Sequence, residues 1–522
     1  MPAATGRPPV NRWIPAIAVM LSAVMEVLDT SVVNVSLPHI AGSLSATVDE
    51  ATWVLTSYIV ANAIILPISG WLANYFGRKR LLMTVVTGFT VSSLMCGVAP
   101  NLPALIFFRV MQGTTGGGLQ PLSQAVLLEG FPLEERGTAM AFWGLGIVAA
   151  PILGPTLGGW LTENYSWRWV FYINLPVGIL SLVMIYLYVV DPPYLKRTSN
   201  RVDVWGLGLM ALGIASFQVM LDKGQEDDWF ASHFIVTLAV VALVTLAIFV
   251  VRELRTSEPL VDFRLLRFRT YAAGVGVATV LGFVLYGSLV LLPLFMQELL
   301  GFSAVEAGFW MSPRGIATGI MMPITGYLLG RRMDPRWMLA VGMIVASLAF
   351  FGYSGLDLQA GPTDFLVPQF VQGIGMALVF VPLTTITMDP IPLASTGYAT
   401  SIYSLMRNMG ASMGVSFVTT MVARRSQFHQ ARLADAVSVY SPGVQRRLEQ
   451  YGGAMAGRGA PPGVASHQAL GVMYRQMLQQ AMLMSFVDMF YVLGIMFLVV
   501  TPIVWLMRRP TQRAHGAAAA AH

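Results

Sequence analysis

The feature that most limits the fold of this chain is its succession of long apolar runs. Fourteen stretches of helix length follow one another, from 14–36 to 485–507. Each is near the roughly 20 residues that cross a bilayer as a helix. None alternates in ten-residue segments, so a membrane β-barrel is excluded. The reading is an all-α polytopic membrane protein. Composition agrees: 55% of the 522 residues are hydrophobic and only 11% are charged, whereas soluble proteins carry about 25% charge. A soluble enzyme, a nucleic-acid binder and a disulfide-stapled secreted domain are all excluded. Cys96 is the one cysteine; it allows no intrachain disulfide and reads as a small core residue. The first run has Arg7 and Arg12 before it, like a signal peptide, but it continues through Glu26 and Asp29 to Leu37. It reads as an uncleaved first span.

Positive charge orients the spans. With the N-terminus inside, the inner side holds 20 of the 32 Lys and Arg. The short outer loops hold only Arg168 and Lys223. Both termini are therefore expected in the cytoplasm, which also accounts for the net charge of +6. The long segment 424–484 is then external. Its stretches Ser426–Val439 and His467–Met484 have helical apolar spacing, and Gly452–Gly463 reads as a flexible link.

The chain repeats itself. Ile64-Ile65-Leu66-Pro67-Ile68-Ser69-Gly70-Trp71 recurs as Ile320-Met321-Met322-Pro323-Ile324-Thr325-Gly326-Tyr327, 256 residues later. Gln112-Gly113 and Pro121-Leu122 are echoed by Gln372-Gly373 and Pro382-Leu383. Six spans (1–190), two inserted spans (191–262) and six more (263–522) account for the spacing. Duplicated halves are a transporter signature, with the substrate site between them near the midplane.

Charges inside spans mark function, because the bilayer makes them costly. Glu26 and Asp29 lie three apart on one helix face. A carboxylate poised between burial and a nearby cation can load and release a proton; Asp29 is the better carrier, and Glu26 could share its proton or receive a cationic substrate. Arg109, in the fourth span, is the natural counter-charge. Its position in the second half is Gln369, so proton coupling is expected in the first half. Arg314 and Arg407 lie near span ends, where snorkelling or structural bonding is the plain reading; Arg407 is also a candidate for the substrate cavity. Asp488 reads as interfacial. Gly154 and Gly158, with Pro151 and Pro155, suit a closely packed, bendable fifth span, and Gly410 and Gly414 mirror them. Most of the 31 Met read as core or lipid-facing residues. The six His show no metal spacing, and no GxxxxGK[ST] loop for ATP is present. The stretch Ala517–His522 is of low complexity.

Four motifs carry a family resemblance. Leu28-Asp29-Thr30-Ser31-Val32-Val33-Asn34-Val35-Ser36-Leu37-Pro38 resembles the first-helix motif of the fourteen-helix drug:proton antiporter branch of the major facilitator superfamily. Gly70-Trp71-Leu72-Ala73-Asn74-Tyr75-Phe76-Gly77-Arg78-Lys79-Arg80 is similar to the superfamily's loop signature. Arg109-Val110-Met111-Gln112-Gly113 resembles its fourth-helix motif. Gly146, Pro151, Gly154, Pro155, Gly158 and Gly159 resemble its fifth-helix antiporter motif. Within the branch, the chain is most similar in kind to EmrB-type inner-membrane subunits of tripartite multidrug pumps. The resemblance implies two six-helix bundles plus two inserted helices, proton as coupling ion with no other cofactor, and hydrophobic or amphipathic substrates. It implies proton coupling at Asp29, Glu26 and Arg109, and substrate or gating roles for Asn34, Gln112, Gly146, Pro151, Gly154, Pro155, Gly158 and Arg407. Gly70, Gly77, Arg78 and Lys79 would form the loop signature. It also implies a periplasmic adaptor, docked on 424–484, that leads to an outer-membrane channel. One position departs: Asn74 stands where the signature has an acid. The contact that acid makes with a neighbouring helix is then either missing or carried by an amide hydrogen bond.

The first expectation is a proton-driven exporter of amphipathic compounds across the inner membrane. The second is a dedicated exporter of fatty acids or another amphipathic metabolite. A third, a receptor without transport, leaves the buried charges unexplained.

Overall fold

The computed structural model describes residues 11–191, 203–331, 333–437, 441–457, 459 and 461–509. The low-complexity stretch 517–522 and the basic residues Lys196, Arg197 and Arg201 lie outside them. The first half comprises α1 (Trp13–Ser43), α2 (Val48–Ile65), α3 (Ser69–Phe76), α4 (Arg78–Gly97), α5 (Leu102–Gly116), α6 (Leu119–Gly130), α7 (Leu133–Asn164), α8 (Trp169–Tyr172) and α9 (Asn174–Tyr188). The inserted pair is α10 (Val204–Lys223) and α11 (His233–Arg255). The second half comprises α12 (Arg269–Leu294), α13 (Ala304–Trp310), α14 (Ser312–Gly330), α15 (Pro335–Tyr353), α16 (Leu366–Met388), α17 (Thr396–Ala436), α18 (Pro442–Ala456) and α19 (Pro462–Val500). Among the described residues there is no strand.

Ten helical segments are long and apolar enough to cross a membrane, and the bent pair Glu135–Pro151 with Leu153–Asn164 adds an eleventh. The other expected spans, 104–126, 307–329 and 399–424, are helical but less apolar. They carry Arg109, Gln112 and Gln120, then Arg314, then Arg407 and Asn408. Polar cargo lowers their hydropathy, and the first two are each divided into two helices, α5 with α6 and α13 with α14.

The repeat is visible in matched local structure. At the start of α2, Thr47 and Glu50 form a capping box: the Glu50 amide donates to Thr47 Oγ1 at 3.2 Å and the Thr47 amide to Glu50 Oε2 at 2.8 Å. At the start of α13, 256 residues on, Ser303 and Glu306 repeat it at 3.2 and 2.8 Å. Such boxes satisfy backbone donors left free at a helix start. The two halves meet through matched glycines. A Cβ on Gly70 would lie 2.5 Å from the Gly397 backbone, and one on its counterpart Gly326 would lie 3.0 Å from Thr138 Cα. Beside Gly70, the Ser69 and Ser401 hydroxyls are 2.8 Å apart, and the Gly70 amide donates to Ser401 Oγ at 2.9 Å.

The inserted helix α10 lies between α2 and α17. Gln218 Nε2 donates to Ser412 Oγ at 2.9 Å, and Ser416 Oγ to the Leu221 carbonyl at 2.8 Å. Toward α2, Lys223 Nζ donates to Thr52 Oγ1 at 2.8 Å, and the Thr56 hydroxyl bonds Asp222. At the other end of the inserted pair, Arg252 grips Asp203 with two hydrogen bonds of 2.8 Å.

The segment 424–484 departs from expectation. The two amphipathic stretches are not separate helices: α17 runs unbroken to Ala436, and α19 starts at Pro462. Residues 452–456, expected in a flexible link, belong to α18. Asp488 braces the base of these extensions, accepting from Arg425 Nε at 2.7 Å and sharing a 2.8 Å bond with His429.

Candidate functional site

Asp29 and Arg109 are both fully buried. Arg109, from α5, donates from Nη1 to Asp29 Oδ2 at 2.6 Å. Gln112, one turn further on α5, donates to Asp29 Oδ1 at 3.0 Å, and Asn174 on α9 donates to the same oxygen at 2.6 Å. Arg109 also has anchors that do not depend on Asp29. Its Nε donates to the Val54 carbonyl at 3.0 Å, its Nη1 to Gln112 Oε1 at 2.8 Å, and its guanidinium lies 4.1 Å from the centre of the Tyr58 ring. A buried ion pair broken on one side leaves a costly bare charge. Here the guanidinium has partners besides the carboxylate. The ring face adds a cation–π contact.

Glu26, on the same face of α1, has a different set of partners. Asn62 donates to its Oε1 at 2.9 Å and Gln120 to its Oε2 at 2.6 Å. The Gln120 carbonyl in turn accepts from Arg407 of the second half. One amide thus links a carboxylate in one half to a guanidinium in the other. The close approach needs the break between α5 and α6: a Cβ on Gly117 would lie 2.4 Å from the Asn62 carbonyl oxygen. Among the described residues the two carboxylates share no hydrogen-bond partner, so the expected proton sharing has no direct contact behind it.

Of the two plain readings of Arg314 and Arg407, snorkelling does not hold. Both are 2% exposed, and both line one narrow cavity with Leu285, Tyr286, Met376 and Phe380. Arg314 starts α14 deep in the bundle because the short α13 precedes it. Its Nη1 reaches Gln372 Oε1 at 3.5 Å, while Tyr353 donates to the same oxygen at 2.9 Å. Gln369, in the place of Arg109, donates to the Trp310 carbonyl at 2.9 Å.

The glycines of α7 seat it on α1. A Cβ on Gly146 would lie 2.4 Å from Val24 Cγ2, one on Gly154 2.2 Å from Ser31 Oγ, and one on Gly158 2.7 Å from the Val32 carbonyl. Pro155 removes the amide that would bond the carbonyl of Pro151; the Ser31 hydroxyl donates to that carbonyl instead, at 3.1 Å. Pro151 itself lines the cavity. In the second half, Gly410 and Gly414 sit 2.0 Å and 2.2 Å, by the same measure, from carbonyls of α12. Asn34 is exposed and joins neither hydrogen-bond network among the described residues.

In the loop signature, Gly77 takes φ +89°, a conformation that favours glycine. The Lys79 amide then donates to Asp191 at 2.8 Å, and Arg78 pairs with Glu129. Asn74 lies beside Tyr398 of the other half, so an amide contact occupies the place of the acid. Sequence reading missed Asn62, Gln120 and Asn174. Each is a lone amide in an apolar run, and a polar group at that depth was the available signal.

Two six-helix bundles with a buried ion pair in one and, between them, a mainly apolar cavity lined also by two arginines define a secondary transporter rather than an enzyme. The chain belongs to the Major Facilitator Superfamily, whose model matches residues 19–415. It is 37% identical to the fatty acid resistance protein FarB of Neisseria gonorrhoeae, over 97% of each chain. It is 36% identical to the multidrug export protein EmrB of Escherichia coli strain K12, over 95% of each. Among solved structures it superposes on the proton:xylose symporter XylE with a TM-score of 0.58, at 16% identity and 95% coverage of both chains.

Proposed function

We propose that the chain is a proton-coupled antiporter of the inner membrane that exports hydrophobic or amphipathic compounds. One observation carries this reading: Asp29 is fully buried and ion-paired, with its counter-ion separately anchored. Protons would reach Asp29 from outside and leave inward, while substrate moves the other way through the cavity between the halves. All fourteen helical segments would cross the bilayer, with both termini in the cytoplasm. Likeness to EmrB and FarB supports export. The test is proton movement in liposomes holding the purified protein: substrates should drive proton flux against a fixed pH gradient. Absence of flux with a chemically broad panel would overturn the reading.

A narrower second reading, export of fatty acids or a related amphiphile, is favoured by the likeness to FarB. The helices α17 to α19 beyond the bilayer would dock a periplasmic adaptor that leads to an outer-membrane channel. Replacing 427–480 by a short linker should abolish adaptor co-purification. Wild-type retention of the adaptor would exclude docking there.

A further inference from the structure

We propose that Glu26, Gln120 and Arg407 form a proton-controlled latch on the inner seam between the two halves, closed while Glu26 is ionised and loosened when Glu26 takes a proton. The proposal rests on the transporter reading and names a device that regulates it. Gln120 is a positioning residue in that device.

The seam is that of α17 with α3 and α6. Residues three apart on a helix share a face, and Ser401, Ser404 and Arg407 of α17 all turn to the first half. The Ser401 hydroxyl meets Ser69 at 2.8 Å and the Gly70 amide at 2.9 Å. Ser404 Oγ donates to Gln124 Oε1 at 3.4 Å, and Arg407 donates to the Gln120 carbonyl. Ser69, Gln124, Ser401 and Ser404 are buried, so these groups rely on one another for hydrogen bonds. The row starts at the end of the bundle that carries the N-terminus, and it ends on a carboxylate. Gln120 Nε2 donates to Glu26 Oε2 at 2.6 Å while its carbonyl holds Arg407. The amide thus lies between an anion of one half and a cation of the other, and bonds in such a chain strengthen each other. Asp29 has no such reach: its donors Arg109, Gln112 and Asn174 all belong to the first half. The charged or titratable groups facing Glu26 are Asp29 on its own helix, Tyr58 of α2, Tyr286 of α12 and Arg407 of α17. Arg407 is the cation of this set, since Arg109 is already paired with Asp29. A proton on Glu26 removes the anion from the chain. The bond from Gln120 loses its charge assistance, and Arg407 loses an opposite charge across the seam. Attraction between the halves falls on the inner side only. That order suits an antiporter: a proton taken up from outside frees the inside to open.

Distances between two nitroxides, read by double electron–electron resonance, test this on the full chain in phosphatidylcholine nanodiscs. The labels sit at Gly130→Cys, at the end of α6, and Ala394→Cys, just before α17, in a Cys96→Ser background; Gly130 and Ala394 are both exposed. With no other change, lowering the pH from mildly alkaline to mildly acidic should raise the ratio of parted to closed seams at least about tenfold, the worth of one hydrogen bond to a charged group. Glu26→Gln should hold the ratio near its acid value at every pH. Gln120→Met keeps the bulk but not the amide and should remove the pH response, whereas a Gln120 that only packs would leave it. Asp29→Asn should keep the response. A flat response without these changes overturns the proposal even if every variant fails to fold. A full response in folded Glu26→Gln or Gln120→Met overturns it too, as does its loss in folded Asp29→Asn. Substrate-driven proton flux is read separately. Flux with a flat seam response removes the latch and leaves the transporter reading intact; a seam response without flux leaves the latch and removes that reading.

Discussion

The two halves of this protein share helices, capping boxes and glycine contacts, yet they distribute charge in opposite ways. The first half holds Asp29 and Arg109 as a closed pair inside a cage of amides. In the second half, the position 256 residues after Asp29 is Leu285, and that of Tyr58 is Arg314. The cation has moved to another helix and the acid is gone. Symmetry of backbone therefore does not carry symmetry of task. One half keeps its buried charges paired with each other, whereas the other places two arginines on the wall of the cavity.

Removing the acid should break the comparison most severely. Asp29→Asn keeps the shape of the side chain but cannot titrate. Proton-driven efflux in vesicles should fall on the order of 100-fold, the scale on which proton-transfer groups contribute. Equal efflux would relocate coupling to Glu26.

A pair of changes sharpens the packing side of the comparison. At Gly410 an added Cβ meets the Thr279 carbonyl oxygen at 2.0 Å, whereas at Gly146 it meets only the end of the Val24 side chain at 2.4 Å. Gly410→Ala should cost about 1–3 kcal/mol, the usual range for overpacking. Gly146→Ala should cost less, because Val24 can turn. Thermal midpoints in detergent, read by size-exclusion profile, would rank the two.

The smallest effect is expected at Asp334, ahead of α15. Its hydrogen bonds from Arg336, with Arg509 nearby, hold its carboxyl below the usual carboxylate range. Its contribution is therefore present above the ordinary carboxylate pKa and is lost as pH falls through the lower, folded value. Asp334→Asn should cost no more than about 1 kcal/mol at neutral pH. The difference from wild type should vanish in strong acid; a constant difference across pH would point to lost packing instead.

Much of this architecture was legible in the chain. Apolar runs, the 256-residue repeat and the Asp29 and Arg109 motifs all depend on local spacing, which sequence displays directly. What stayed hidden depends on depth and on partners from distant segments. Arg314 reads as a span-end residue until the short α13 pushes it inward. Gln120 reads as one amide in a long run until the glycine break turns it toward Glu26 on one side and Arg407 on the other. The outer segment misled for another reason. Amphipathic spacing identified helix there but not its continuity with the membrane helix below, since continuity needs only the absence of a breaker.

That continuity has a mechanical consequence. At 1.5 Å per residue, the 41 residues of α17 make a rod about 60 Å long, roughly twice the thickness of the bilayer's hydrocarbon core. The same helix carries Arg407 at its inner portion and is braced through Asp488 to α19 further out. A rod pivoting near its middle moves its far tip as much as its near end, and two braced rods resist bending better than one. If the cavity opens by a tilt of α17, the far end at Ala436 would swing sideways with it.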